Sequence, residues 1–220
     1  MLAKDGKPEK SVHWVSKVFA TFLRTLGRFQ HPSVLDLGPV TGGNISFYGE
    51  MGWKIYANDI LQEYREAVEA ARASPPQAAE EQESPPDPIE TVLSRFHYAP
   101  GSLQGILCWD VLDRLPPIWT RELVHRLSTA LDEGGVILSF FGVKEELGDG
   151  ESPRGFRIRS ETDLEPIPEE GTALERYTYQ NGEIMSLFSG FKVLNFYFMK
   201  NNFRELLVQK QTRAALSAPA

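Results

Sequence analysis

Two carboxylates and a glycine-rich turn are spaced along this chain as a site for a nucleotide-type ligand would need them. Asp36 lies in a short apolar run that is followed by Gly38, Gly42 and Gly43, and Asp59 ends the next apolar run. Glycines let the backbone approach a ligand closely, and N–H groups at a helix start face a polar or anionic group. A carboxylate at the next strand end can accept hydrogen bonds from both ribose hydroxyls. These residues predict a nucleotide-type crevice.

Each of these residues also has a purely structural interpretation, which the sequence leaves open. Asp36 is suited to cap the turn that follows it, and Asp59 is suited to cap a helix that begins at Leu61. Trp109, in a later apolar run, is an aromatic residue of the kind that fills a core. The four histidines are scattered, and no spacing of Cys, His and carboxylate residues predicts a metal site.

Strands alternate with helices along the chain, which predicts a mostly parallel sheet. Apolar and β-branched runs predict strands at residues 34–37, 53–60, 105–109 and 136–141. Helical periodicity predicts helices at residues 44–51, with Asn44 as the cap, 61–73 and 118–131. Two last strands, at 191–199 and 203–210, predict a hairpin. The expected fold class is α/β, a Rossmann-like three-layer sandwich with a C-terminal antiparallel hairpin.

The chain is expected to form a single domain over residues 1–220, with an N-terminal helix at 11–28. Residues 74–88 are rich in proline and glutamate and predict a flexible linker. Residues 144–179 are polar and irregular, as expected of an insertion that forms a lid. Residues 89–98 are ambiguous, because Asp87-Pro88 suits a helix start where a third strand is expected.

Charge and cysteine content narrow the class of protein. The formal net charge is −7, so repulsion opposes nonspecific binding to nucleic acid or to an anionic membrane. No apolar stretch is long enough to cross a bilayer, and the first ten residues lack the apolar core of a secretory signal. The single cysteine, Cys108, excludes a disulfide framework. We expect a cytoplasmic protein with a small-molecule substrate, of undetermined oligomeric state.

The order of these motifs resembles that of class I methyltransferases that depend on S-adenosylmethionine (SAM). Residues 34–38, Val-Leu-Asp-Leu-Gly, followed by Thr41 and Gly42, are similar to the first motif of that family, and residues 55–60 resemble its acidic second strand. Residues 100–112 resemble the fourth-strand region of the family, residues 131–135 resemble the approach to strand five, and residues 189–193 resemble the C-terminal strands. The similarity extends over residues 30–210.

The resemblance implies SAM as the cofactor and transfer of its methyl group as the activity. It implies that Asp36 anchors the loop or the amino group of the methionine part. Gly38, Thr41 and Gly42 would line the methionine and the ribose. Transfer from a sulfonium needs mainly alignment of the reacting atoms, so no catalytic residue is assigned.

The same resemblance implies roles for four residues on later elements. Asp59 would hold the ribose hydroxyls, and Ile60 would lie against the adenine. Trp109 and Asp110 would border the sulfonium and the substrate.

Several positions depart from the family pattern. Val40 stands where a glycine is expected, and a β-branched residue does not readily adopt positive φ or admit a ligand; Pro39 before it removes an amide donor. No acid follows a recognisable third strand. Because of these departures, the sequence leaves open a second hypothesis, a methyltransferase-like domain that has no turnover and serves as a binding or scaffolding module. A dinucleotide-dependent oxidoreductase would use Gly38 and Gly43, although Asp36 and the closing hairpin are unusual for it.

Overall fold

The computed structural model describes residues 13–73, 87–143, 153–169, 174–199 and 202–211. Most of the expected 74–88 linker therefore lies outside the described residues. The same holds for residues 144–152 and 170–173 of the expected insertion, for residues 11–12 of the expected N-terminal helix, and for residues 200–201 between the last two strands.

Nine strands and six helices are formed by the described residues. The strands are β1 (Trp14–Val15), β2 (Ser33–Asp36), β3 (Lys54–Ala57), β4 (Leu103–Trp109), β5 (Leu131–Gly142), β6 (Pro153–Ile158), β7 (Asp163–Pro168), β8 (Phe191–Phe198) and β9 (Phe203–Lys210). The helices are α1 (Lys17–Leu26), α2 (Gly42–Glu50), α3 (Ile60–Ala73), α4 (Pro88–Ser94), α5 (Pro117–Ala130) and α6 (Asn181–Leu187).

Six strands form the main sheet in the order β3-β2-β4-β5-β9-β8. The first four are parallel to one another, and β9 pairs antiparallel with both β5 and β8. Helices α3, α4, α5 and α6 contribute to the hydrophobic cluster on one face, and α1 and α2 contribute to the cluster on the other. The predicted α/β sandwich with a closing antiparallel hairpin is confirmed.

The structure corrects two local predictions and decides one that the sequence left ambiguous. Helix α2 is capped by Thr41, whose side chain accepts a hydrogen bond from the Asn44 amide, so Asn44 is not the cap. The ambiguous segment forms helix α4, since the Asp87 carboxylate caps it and Ile89, Val92 and Leu93 share its buried face. Strand β5 begins at Leu131, earlier than expected, because the buried Leu131 already pairs with Leu103.

A second, three-stranded antiparallel sheet is formed by β1, β7 and β6 in that order, and we name it the cap sheet. Trp14 of β1 and Phe156 of β6 both enter the cluster that contains α1 and α2. Their rings are 4.7 Å apart, centroid to centroid. The cap sheet therefore shares one core with the main sheet.

Glu205 is an acidic side chain buried beneath the start of α1. Ser16 accepts a hydrogen bond from the Phe19 amide as the cap of α1, and its hydroxyl donates to Glu205 Oε2 at 3.0 Å. Glu205 is only 1% exposed, and burial raises the pKa of its carboxyl to about 7. The carboxyl therefore binds its proton more tightly in the folded chain than in the unfolded one.

The free energy of unfolding should consequently fall as pH rises from about 4.5 to about 7, since the folded state holds a proton that the unfolded state has lost. Glu205→Gln removes the free-energy cost of ionising this buried carboxyl and keeps an acceptor for Ser16. We expect the variant to be more stable than wild type by about 2–3 kcal/mol above pH 7 and nearly equal at pH 4. Urea denaturation across this pH range measures the difference.

Glu50→Gln, at an exposed position at the end of α2, is the control and should leave the pH profile unchanged. A difference between Glu205→Gln and wild type that stays constant with pH would contradict the assignment.

Candidate functional site

The strand order places a topological switch point at β2. The chain passes from β2 to β3 on one side and later returns to β4 on the other. In open α/β sheets the crevice at such a point, outside the carboxyl ends of the strands, is where ligands bind. Here Asp36 ends β2 and Trp109 ends β4, so both predicted residues border this crevice.

The carboxylate of Asp36 is bonded to the tip of β4. Trp109 Nε1 donates a hydrogen bond to Asp36 Oδ1 at 2.6 Å, and the Gly38 amide donates to the same oxygen at 2.9 Å. Asp36 is 3% exposed. Burial raises its pKa to about 6, against the opposing effect of these hydrogen bonds. Asp36 thus has the turn-capping role, and it also fixes the indole.

The indole of Trp109 fills the space beside Gly38. It has no exposed surface, and a Cβ added to Gly38 would lie 2.6 Å from Trp109 Cδ1. The ring also packs against Phe19, Phe140 and Phe156, with centroids 5.2–6.1 Å away. Trp109 has a φ of 46°, in the left-handed region that costs energy for a residue with a side chain. The structure maintains this conformation through the buried contacts of the ring.

The glycine-rich turn leads into the amino terminus of α2. Thr41 caps the helix, and a Cβ added to Gly42 or Gly43 would meet nothing within 4 Å. This helix start is therefore open, as the site predicted from sequence requires.

Asn44 of α2 binds the cap sheet instead of capping its own helix. Its side chain donates to the Phe156 carbonyl and accepts from the Ile158 amide, both at 2.9 Å. The amide group therefore pairs with β6 as a neighbouring strand would. The same Nδ2 lies 3.5 Å from Asp36 Oδ2, so Asn44 links the cap sheet to the crevice.

Asp59 follows β3 and is engaged on both carboxylate oxygens. Oδ1 accepts from the Gln62 amide at 3.1 Å, which caps α3, and Oδ2 accepts from Arg154 Nη2 of β6 at 2.8 Å. The helix-capping interpretation is therefore observed, together with an ion pair that the sequence did not indicate. Ile60 next to it has no exposed surface and packs in the core with α3.

The cap sheet lies directly on the turn. A Cβ added to Gly155 of β6 would collide with the Pro39 ring, so only glycine permits this approach. Val40 is 59% exposed and has no positive φ. The Val40 side chain therefore points to solvent, and Trp109, Pro39 and β6 fill the space of the crevice.

Asp110 belongs to a buried network of ion pairs at the other side of the β4 terminus. Arg176 donates to Asp110 Oδ2 at 3.0 Å and also binds Asp113, and Arg114 pairs with Asp110 at 3.5 Å. Burial raises the pKa of Asp113 to about 6. The network continues through Glu169, which binds both Arg114 and Arg65.

A groove of about 1290 Å³ lies between α5, α6 and residues 174–180. It borders Arg114, Glu169 and Arg176 of the network, and it contains none of the eight residues predicted from sequence. The structure thus separates this groove from the predicted crevice.

The described residues do not form a metal site or present a reactive cysteine. No group of three or more His, Cys, Asp and Glu side chains there is placed to hold a metal ion. Cys108 is buried, which raises the pKa of its thiol to about 12 and makes it a poor nucleophile. No described helix combines the length and the apolar character needed to span a membrane.

The mixed six-stranded sheet with helices on both faces defines a Rossmann-like α/β fold. Residues 11–190 match the family model described as a methyltransferase domain, and the chain belongs to that family. The resemblance seen in its motifs is thereby confirmed. No curated protein matches the sequence.

Two solved structures share the fold. A SAM-dependent methyltransferase from Methanosarcina mazei has 16% identity and a TM-score of 0.51, over 90% of this chain and 99% of that one. An S-adenosylmethionine-dependent methyltransferase from Mesorhizobium loti has 14% identity and a TM-score of 0.50, over 87% of this chain and 98% of that one.

Gly38→Ala tests whether the indole fills the crevice. Because the new methyl group would overlap Trp109 and the Asp36 carboxylate, we expect a loss of about 1–3 kcal/mol in the free energy of unfolding. Gly43→Ala is the matched control. Its methyl group meets nothing within 4 Å and lies in a helix, so no loss is expected. Equal stability of the two variants would show that Trp109 is not held beside Gly38.

Proposed function

We propose that this chain is a SAM-dependent methyltransferase that acts on a small molecule. One observation carries the proposal: the turn after β2, the open start of α2 and the carboxylates of Asp36 and Asp59 converge at the carboxyl ends of adjacent parallel strands. In a chain of the methyltransferase domain family, this is the place where the cofactor is expected.

The polar groups at the crevice fit the parts of SAM. Asp59 would hold the ribose hydroxyls, and Gly38, Thr41 and Gly42 would lie along the ribose and methionine parts. Asp36 would keep the turn in place through the Gly38 amide. When bound, SAM supplies an activated methyl group on a sulfonium. The protein then contributes alignment and exclusion of water.

The space between these groups is filled by the protein in the described conformation. Arg154 occupies one oxygen of Asp59, and Trp109 occupies the space beside Gly38. Under this proposal, cofactor binding requires that β6 withdraws Arg154 and that the indole moves. The cap sheet, which includes part of the insertion expected at 144–179, would then act as a lid.

A second candidate is a methyltransferase-like domain that binds or scaffolds without turnover. The buried bond between Trp109 and Asp36 favours it, because breaking that bond removes one of the donors to a desolvated carboxylate. The formation of α4 where the third strand was expected favours it as well, since no acid then lies at the end of a third strand. The family match and the antiparallel hairpin disfavour a dinucleotide-dependent oxidoreductase.

The proposal also includes the expected cellular compartment and the expected partners. A buried, single cysteine suits a reducing compartment such as the cytoplasm. The net charge of −7 makes nucleic acid an unfavourable partner.

Isothermal titration of the full chain with SAM and with S-adenosylhomocysteine tests the proposal. We expect Arg154→Ala to tighten binding by about fivefold, because the loss of a partly buried ion pair worth about 1 kcal/mol frees Asp59. Asp59→Ala should weaken binding at least tenfold relative to Arg154→Ala, because two hydrogen bonds to the ribose are lost.

Arg157→Ala is the matched control, since it removes the same charge from β6 but its partner is Glu165 on the cap sheet. It should leave binding unchanged. If neither wild type nor Arg154→Ala binds either compound while both remain folded, the methyltransferase proposal fails and the second candidate stands. Binding of NADH instead would favour the oxidoreductase.

A further inference from the structure

Strand β8 is the outer strand of the main sheet. It pairs with β9 on one side, and no other described strand pairs with its outer edge. An open edge presents unpaired backbone N–H and C=O groups, which form a template for another strand. Proteins usually protect such edges with charges, prolines or bulges.

Charges and prolines give this edge little protection, and its one protective feature is a bulge. Over its eight residues β8 has one charged side chain, Lys192, and no proline, in a chain with a net charge of −7. Val193, Tyr197 and Phe198 are 42%, 51% and 62% exposed. Exposed apolar residues gathered in this way mark an interaction surface more often than chance placement.

A bulge near Leu194 determines which residues of β8 share a face. On one side of it Val193 pairs with Val208 of β9, and on the other Phe196 pairs with Leu206. Val208 and Leu206 both belong to the cluster with α5 and α6, so Val193 and Phe196 lie on that face. By the same register Phe191 and Phe198 lie there too, whereas Lys192 and Tyr197 lie on the opposite face.

This pattern is complementary to itself in one antiparallel register. Two copies of β8 related by a two-fold axis place Phe191 opposite Phe198, Val193 opposite Phe196, and Lys192 opposite Tyr197. Each pair shares a face only because the bulge shifts the alternation by one residue. On the face of α5 and α6 apolar side chains meet apolar ones. On the opposite face an ammonium meets an aromatic ring, Leu194 lies opposite Asn195 at the bulge, and no like charges oppose each other.

We propose that a second copy of this chain pairs with β8, joining the two main sheets through an antiparallel β8–β8 contact. The interface is isologous, so it closes as a dimer. One strand edge with its flanking side chains buries less than the roughly 800 Å² per partner of a standard interface. The dissociation constant is therefore expected on the order of micromolar.

Sedimentation velocity of the full chain between about 1 and about 200 µM tests the proposal, since this range brackets a micromolar constant. The mass should rise from 24.8 kDa toward twice that value. The double variant Val193→Glu, Phe198→Glu should stay monomeric throughout, because it places carboxylates opposite aromatic rings, whose faces are negative, and adds negative charge to both copies. Its thermal unfolding should match wild type.

Ile118→Glu is the control, because Ile118 is 69% exposed but lies on α5. It should dimerise as wild type does. Hydrogen exchange of wild type gives a second readout: amides of β8 should slow between the low and the high concentration. A wild-type chain that stays monomeric, a β8 variant that dimerises normally, or slowing confined to other elements would each overturn the proposal.

Discussion

The hydrogen bond from Trp109 to Asp36 determines the shape of the crevice. Asp36 is buried, and a buried carboxylate is tolerated only when its oxygens are bonded. Its donors come from three places: the indole of Trp109 at the end of β4, the Gly38 amide in the turn, and Asn44 of α2. Asn44 then binds the backbone of β6. One carboxylate thus connects the two strands at the switch point to the cap sheet.

Ion pairs also connect neighbouring segments of the chain to carboxylates on both sides of the β4 terminus. Arg154 ties β6 to Asp59, and Arg176 ties residues 174–180 to Asp110 and Asp113. Asp110 and Asp113 are fully buried, so separating them from Arg176 would remove an ion-pair partner from each of them in a low dielectric. The Arg154 pair is partly exposed and is weaker. Of these ion pairs, the one between Arg154 and Asp59 therefore breaks at the lower cost.

The sequence predicted the frame of this site because the frame depends on local patterns. Apolar runs located β2 and β4, and the glycine-rich turn and Asp59 were expected at the ends of adjacent strands. The contacts that fill the site depend on distant residues: Asn44 meets Phe156 at a separation of 112 positions, and Asp59 meets Arg154 at a separation of 95. No periodicity carries such information. Comparison with the first motif of the family identified Val40 as a departure, but the residue that occupies the space of the crevice is Trp109.

The two candidate functions differ by one quantity, the free energy needed to open the crevice. If opening costs about 1 kcal/mol, roughly one molecule in six is open, and the apparent affinity for a cofactor falls only severalfold. If it costs about 4 kcal/mol, the apparent affinity falls about a thousandfold, and a micromolar site becomes a millimolar one. Strain at the positive φ of Trp109 favours opening, whereas its buried bond to Asp36 and its three aromatic contacts oppose it. The indole contacts are therefore more important than the glycine motif in deciding whether this fold can use its crevice.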